Sequence, residues 1–529
     1  MQKFTIHRKE SGLFSDLSNV LTYDQESLSN LLSAPFSAKA FDKQIQLKET
    51  FFTPEKRALL ANVLQEQYAG FPQSDKVNEN IASLRDPDTF TVTTGHQLNL
   101  LTGPVYFIYK ILHTIRLAEE LSLQYPSKKI VPVYWMASED HDFEEINHTS
   151  LFGKRISWEE KQDGPVGRYE LNNWADLKDT VAAFFQNQPD SEVNEVLRTY
   201  TGKNLSEATK SLVHTLFGKY GLIIVEPDHH LLKKAFAPVM QQEVTEHFAE
   251  KAVQESNTII ESLGYKPQVF AREINLFFIR KGLRERLVPE NGKISIQGEG
   301  TFSVAEILEQ IAKNPENFSP NVVLRPVYQE CILPNLAYIG GGGEIAYWLQ
   351  FKGVFDACGI PYPLIQVRNS IQIIDQNTQK KMSKTGISAE DLFKDLDELK
   401  KEYVLRNAGE SLDFSTLDNL ATQLTEQMTA QIIQSDSGLQ SYAFAEAVKI
   451  QKQLESVKSK LIKQQKTQFD SAMKQLEDIK SKMFPHNHVQ ERTDNFFSFC
   501  AGGEVYSLLE NLKSAIDPFE KDLILLNLD

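Results

Sequence analysis

The sequence predicts an α/β protein built on a mostly parallel, doubly wound sheet, with a helical region at its C-terminal end. Three observations predict it. Short apolar runs rich in β-branched and aromatic residues, at 89–95, 130–137 and 221–228, read as strands buried on both faces. Amphipathic helical patterns lie between them, so strands and helices alternate as in βαβ units. Beyond residue 391 glycine becomes scarce and Lys, Glu, Gln and Leu dominate. A chain of 529 residues exceeds the size at which one core stops growing. The expected division is a helical extension over 1–88, a core over 89–390 and a helical region over 391–529.

The elements follow in order. The stretch 54–68 has apolar positions at helical spacing after the Thr53-Pro54 start signal. TFTVTTG, 89–95, is a strand ending in Gly95. A helix over about 104–122 follows, with Pro104 in its first turn. With the strand at 130–137 they form a βαβ unit, whose crossover is expected to be right-handed. Residues 150–200 are polar and weakly periodic and read as an insertion. A helix over 205–220 leads to the strand 221–228. AREINLFFIR, 271–280, reads as a further strand, and 281–300 as a hairpin within a second insertion reaching 320. PLIQVRNSIQIID, 363–375, reads as a late sheet strand or a strand pair. A helix over 415–434 can fold back, across Ser437-Gly438, on a coiled-coil seam of Ala447, Ile450, Leu454, Val457 and Leu461. The seam resumes at Phe469, Met473, Leu476, Ile479 and Met483, and Pro485 ends it. An intrachain hairpin and a dimerisation arm both fit this coiled coil near 415–484.

Composition excludes several classes. The net charge of -15, from 56 basic and 71 acidic side chains, argues against a nucleic-acid partner. The N-terminal segment has no apolar signal region, and no stretch is long enough to span a bilayer. Cys331, Cys358 and Cys500 include no close-spaced pair, which suits a reducing cytoplasm and argues against structural zinc. The apolar surroundings of Cys331 and Cys358 favour packing over a catalytic thiol.

Four segments could carry chemistry. In TTGHQLNLLTGP, 93–104, a glycine turn between a strand and a helix start predicts an anion site, with His96, Gln97 and Thr102 adding side-chain hydrogen bonds. Gly95, Gly103 and Tyr106 join this group. The second segment is the acidic strand end: Glu139, Asp140, His141, Asp142, Glu144 and Glu145, with Asn147 and His148 beyond. Carboxylates beside an imidazole can act as a general base, ligate a metal or clamp an amine. The carboxyl end of a buried strand is where α/β sheets bind ligands. The third segment spans 319–350. Arg325 in an apolar setting calls for a buried anionic partner, from protein or substrate. The run Gly340 to Gly343, before a helix starting near Glu344, lets backbone approach a ligand. Asn321, Gln329, Gly341, Gly342, Glu344 and Trp348 are its candidates. The fourth is KKMSKTG, 380–386. It resembles the lysine-rich loop with which class I aminoacyl-tRNA synthetases hold ATP phosphates, making Lys381, Ser383 and Lys384 nucleotide candidates. The companion HxGH element is missing, GHQ at 95–97 being only a partial echo.

Together, TGHQLNLLTGPVYFIYK, VPVYWMASEDHDFEEINH, SPNVVLRPVYQE and YIGGGGEIAYW resemble the BshC family, the cysteine-adding enzyme of bacillithiol biosynthesis. AREINLF and FPHNHVQER add weaker support. The segments occur in family order and span almost the whole chain. The resemblance implies a Rossmann-like core similar to class I synthetases, with inserted segments, and a C-terminal coiled coil supporting a homodimer. It implies a cytoplasmic carbon–nitrogen ligase that joins cysteine to glucosaminyl-malate through an amide. Activating a carboxylate requires an energy source, so ATP, with Mg2+ as its counter-ion, is the expected second substrate, and no tightly bound metal is expected. Asp140 or His141 is then expected to take the amine proton. Arg325 and the two glycine loops would bind malate carboxylates or phosphate charge, and Lys381 and Lys384 the nucleotide. Two other classes stay open. One is a metal-dependent hydrolase using Asp140, His141 and Asp142. The other is a non-catalytic coiled-coil scaffold with a degenerate nucleotide fold.

Overall fold

The computed structural model describes residues 2–408 and 412–528. It divides into two compact units, one of residues 3–372 with 491–526 and one centred on 373–490. The expected boundary at 390 therefore moves to 372, and the last segment of the chain returns to the first unit. Among the described residues no helix is long and apolar enough to cross a membrane.

The first unit is built on strands β1 (Thr89–His96), β2 (Lys129–Met136), β3 (Ile223–Val225), β4 (Leu276–Arg280), β5 (Leu283–Arg286), β6 (Phe318–Pro320), β7 (Asn335–Gly340) and β8 (Leu364–Val367). Its principal helices are α1 (Asp16–Tyr23), α2 (Ala40–Phe51), α3 (Pro54–Tyr68), α4 (Tyr106–Gln124), α5 (Leu205–Phe217), α6 (His230–Glu246), α7 (Arg325–Ile332) and α8 (Gly342–Trp348). The central sheet runs in the order β8-β7-β1-β2-β3, and every neighbouring pair is parallel. The register pairs Thr89 with Lys129 and His96 with Met136.

Local chemistry explains why these segments form these elements. β1 carries threonines through a buried sheet, which is tolerable where their hydroxyls have partners. Thr91 and Thr93 donate to Asn335 Oδ1 at 3.3 and 2.8 Å, and Thr94 donates to the Ile339 carbonyl at 2.8 Å. One core layer gathers Phe41 and Ile45 of α2, Phe90 and Val92 of β1, Leu117 and Leu121 of α4, and Leu336 and Ile339 of β7. α3 starts where expected, with Pro54 first and the Thr53 hydroxyl accepting the Lys56 N–H at 3.4 Å. The N-terminal helices are bound to the core. Arg57 donates to the carbonyls of Asp86, Pro87 and Thr89 at 2.8, 3.0 and 2.7 Å. Lys48 and Glu330 form a fully buried pair at 2.7 Å.

Three expectations change in detail. AREINLFFIR becomes a strand only from Leu276, and it lies outside the parallel sheet, in an antiparallel group of order β6-β4-β5. Asn275 ties the preceding residues into a turn by donating to the Arg272 carbonyl at 2.7 Å. β4 and β5 form a hairpin around Gly282, whose φ of +74° requires glycine there. The segment 363–375 gives β8 and a separate strand, Ile371–Ile374, that is not in the central sheet. The insertion after β2 contains an antiparallel hairpin, His148–Leu151 with Lys154–Ser157, and helices Trp174–Ala182 and Glu192–Thr199.

The second unit contains α9 (Gln376–Thr385), α10 (Leu396–Asn407), α11 (Ser415–Ser435), α12 (Gln440–Lys466) and α13 (Asp470–Met483). Val404, Leu412, Ile462, Met473 and Leu476 form its core. α11 and α12 pack as an intrachain hairpin, and Lys458 of α12 is paired with Asp418 of α11.

Candidate active site

The order β8-β7-β1-β2-β3 reverses direction at β1 and β7. Successive strands run outward one way from β1 and the other way from β7, which opens a crevice at their carboxyl ends. A cavity of about 650 Å³ lies there, lined entirely by residues of the first unit. β1 supplies Gly95, His96 and Gln97, β2 leads to Glu139, Asp140 and His141, β7 leads to Gly341, Gly343 and Glu344, and β8 leads to Arg368.

The floor of the crevice is a closed polar network. Lys110, buried in α4, donates to the Gly95 carbonyl and, at 2.7 Å, to Glu344. The Tyr338 hydroxyl donates to the other Glu344 oxygen and accepts the Gly95 N–H at 3.1 Å. A Cβ at position 95 would stand 2.8 Å from the Tyr338 hydroxyl and 3.2 Å from Arg325, so glycine is required by close approach. Gly95 is still within β1, and no helix start follows it directly. The expected anion cradle of backbone N–H groups is therefore absent at these positions: the Gly95 N–H is held by Tyr338 and the Gly341 N–H by Glu344 at 3.2 Å.

Arginines take that place. Arg272, Arg284, Arg286, Arg325, Arg368 and Arg492 line the cavity with Lys110, facing Glu139, Asp140, Glu145 and Glu344. Most of the carboxylates are engaged. Glu139 is paired with Lys233 of α6, and burial pushes its carboxyl up against that pull. Glu344 is held by Lys110 and Tyr338. Arg368 is fully buried and bidentate with Glu491, at 2.9 and 2.7 Å. Arg325 donates to Gln329 at 3.2 Å, and its NH2 group is buried with no protein partner. Tyr338 lies under Arg325, at 5.7 Å from ring centroid to guanidinium, and Trp348 stacks on Tyr338 at 4.1 Å.

At the acidic strand end, burial alone would raise the Asp140 carboxyl. The adjacent His141 ring, a hydrogen bond from Gln97, the nearby Arg284 charge and the His141 backbone N–H, which donates at 2.8 Å, outweigh it and hold it well below the usual carboxylate range. Gln97 bridges Asp140 and Glu145, both at 2.9 Å. His96 is half-buried, and burial of its ring, with the charges of Lys110 and Arg368, pushes its imidazole well below its ordinary pKa. Its Nε2 has no protein partner.

Several expected site residues stand elsewhere. Thr102 and Gly103 do not line the cavity; with Leu101 they have positive φ and form a turn whose carbonyls accept from Asn495. Asp142 caps the short helix Phe143–Ile146, accepting the Glu145 N–H, so it is turned to structure rather than gathered with Asp140 and His141. Among the described residues no group of three or more His, Cys, Asp or Glu is placed to hold a metal ion. Asn147 contacts His148. Gln329 and Trp348 stand behind Arg325 and Tyr338. Gly342 faces Ser18 of α1, while Gly341 and Gly343 border the cavity. Asn321 lines it and is fixed by Asn275 at 2.8 Å. KKMSKTG is not a loop: Lys381, Ser383 and Lys384 are in α9 of the second unit, and Lys381 pairs with Asp478 at 2.7 Å. The run is rich in helix formers, and the Asp375 side chain caps its start by accepting the Thr378 N–H. The three thiols are packing groups, with burial pushing Cys331 up to about 11 and Cys358 up to about 12.

Sequence reasoning passed over Lys110, Arg284, Tyr338, Arg368 and Arg492. Lys110 and Arg368 left a signal, a lone cation in an apolar helix face and one just past an apolar strand. Arg284 and Arg492 left none, because they arrive from distant segments.

Residues 1–369 match the model for "Bacillithiol biosynthesis BshC, N-terminal Rossmann-like domain", and residues 371–528 match that for the BshC C-terminal coiled-coil domain. A Flavobacterium johnsoniae protein named "Putative cysteine ligase BshC" is 39% identical over 93% of this chain and 94% of its own length. One of the same name from Christiangramia forsetii is 36% identical over 98% of this chain and 97% of its own length. A Bacillus cereus protein so named is 28% identical, covering 84% of this chain and 85% of its own length.

Proposed function

The chain belongs to the BshC family of bacillithiol biosynthesis, and on that premise we propose that its first unit is a carbon–nitrogen ligase adding cysteine to glucosaminyl-malate. The observation that carries this reading is the arginine-lined cavity at the switch point, with Arg325 NH2 buried and unpaired. A buried N–H group without a partner is costly, and a substrate carboxylate would satisfy it. The malate group brings two carboxylates to such a wall.

The cysteine carboxyl is activated by ATP, with Mg2+ as counter-ion, to an acyl phosphate or adenylate. The glucosamine amine then attacks the acyl carbon. The protein aligns the two and holds off water. Asp140, held ionised, is too weak a base near neutral pH to take the amine proton and instead orients its neighbours; His141 takes it. The nucleotide is not assigned to Lys381 and Lys384, whose segment is helical. We read the protein as cytoplasmic and as a homodimer through its C-terminal helices.

A strain lacking this gene tests the reading. It is expected to accumulate glucosaminyl-malate and to lack bacillithiol. Unchanged bacillithiol in a strain with no second copy overturns it.

A further inference from the structure

Arg284 reaches the acidic strand end from the β4–β5 hairpin, 143 residues along the chain. Its NH1 donates to His141 Nδ1 at 2.7 Å. Its guanidinium stacks over the Phe277 ring at 3.7 Å, and the His141 ring lies 5.8 Å from the same phenyl. The Arg284 side chain is only 7% exposed, and its Nε is buried without a partner. Asp140 Oδ1 stands 3.5 Å from His141 Nδ1 and 3.9 Å from Arg284 NH1.

These contacts constrain protons. Arginine stays charged and only donates. The nitrogen it touches must therefore be an acceptor, so a neutral His141 carries its proton on Nε2. In that tautomer neither nitrogen can act as a base: Nε2 has no lone pair free, and the Nδ1 lone pair is taken. The ionised Asp140, an acceptor only, is poised at Nδ1 to favour the opposite tautomer as soon as Arg284 moves.

We propose that Arg284 is a positioning residue that sets the tautomer of His141, releasing Nδ1 to Asp140 when an anionic group of the substrate, carboxylate or phosphoryl, draws the guanidinium away. The inference rests on the ligase reading above and deepens it. With Nδ1–H donated to Asp140, the Nε2 lone pair is free. The attacking amine gives its N–H proton to Nε2 as the nitrogen–carbon bond forms. The bond between the acyl carbon and the phosphate oxygen breaks, and its electron pair leaves with that oxygen. Base strength then appears only when the anion is seated, which limits premature attack by water on the activated acyl group.

Long-range proton–nitrogen correlation on the full-length protein labelled at its 11 histidines reads the tautomer directly, with His141→Gln assigning the signal. Without added anion, His141 is expected to be protonated at Nε2. Saturating L-malate and saturating inorganic phosphate, in separate samples, distinguish the carboxylate from the phosphoryl source; the effective one is expected to move the proton to Nδ1. Arg284→Met keeps a long chain over Phe277 but removes every donor. It is expected to show the Nδ1–H tautomer without anion, and to bind the effective anion about tenfold or more weakly by calorimetry. Loss of a folded spectrum in Arg284→Met leaves the wild-type titration as the deciding measurement. An Nδ1–H tautomer in wild type before any addition, or an Nε2–H tautomer that persists while calorimetry shows the anion bound, overturns the inference and leaves the ligase reading intact. Binding of neither anion overturns it together with the substrate class.

Discussion

Glu226 follows β3 and closes the back of the acidic strand end, where the Ser138 hydroxyl and the Asp228 N–H, at 3.0 Å, both reach its Oε1. Burial, and then the neighbouring Asp228 charge, push its carboxyl from an ordinary 4.5 up to about 7. The folded protein thus keeps a proton that the unfolded chain releases over that window. Stability from this site is present below about pH 4.5, falls as pH rises and is least above pH 7. Glu226→Gln is expected to flatten the pH dependence of thermal unfolding between pH 5 and 8. It should raise stability at pH 8 by at most about 3 kcal/mol. Parallel melting curves for the two proteins across that range contradict the assignment. The same strand end shows what a sequence exposes at this scale. Asp140 and His141 were legible because charges crowd the end of an apolar strand. Their roles were not, because Arg284 reaches them from a hairpin with no pattern linking it to that strand.

The glycine run between β7 and α8 divides its work by position. A Cβ on Gly342 would stand 2.2 Å from the Ser18 hydroxyl oxygen, while Gly341 has open space around it. Gly342→Ala is expected to destabilise the protein by about 1–3 kcal/mol in denaturant unfolding, and Gly341→Ala to leave stability unchanged. Equal effects at the two positions contradict this division. The run was visible in the sequence as a close-approach element, but which glycine meets protein and which meets the cavity depends on α1, far away in sequence. The helical hairpin carries a similar lesson. Ala447, Ile450 and Leu454 of the expected seam are half-buried against α11, but the inward line continues through Lys458 and Ile462. Val457 and Leu461 face outward, 54% and 44% exposed. A helix drifts against a strict heptad, so a seam read by spacing rotates off the packed face. Leu417, Leu420, Leu424 and Val448 are exposed with them. We assign this outward apolar surface to the proposed dimer. Val457→Glu with Leu461→Glu is expected to yield monomers in sedimentation velocity without loss of helical circular dichroism. A dimer of undiminished stability places the contact elsewhere.

At the scale of the molecule, alternating strands and helices were enough to anticipate the parallel sheet, since buried strands and amphipathic crossovers carry distinct periodicities. The division into units was less legible. The return of residues 491–526 to the first unit leaves no compositional mark, yet it brings Glu491 to Arg368 and Arg492 to the cavity. The site is thus assembled from strand ends, an antiparallel hairpin and a segment near the C-terminus, and its positive lining exists on a chain of net charge -15. The positive charge at the switch point is local and runs against the overall balance. On the proposed reading, this cavity joins cysteine to glucosaminyl-malate. Mass spectrometry of the purified protein incubated with cysteine, glucosaminyl-malate and ATP tests it most directly, with Arg325→Met in parallel. The expected result is the amide product, bacillithiol, with wild type, and a yield at least tenfold lower with a folded Arg325→Met. Substrates recovered intact with wild type, or equal yields from the two proteins, contradict the account.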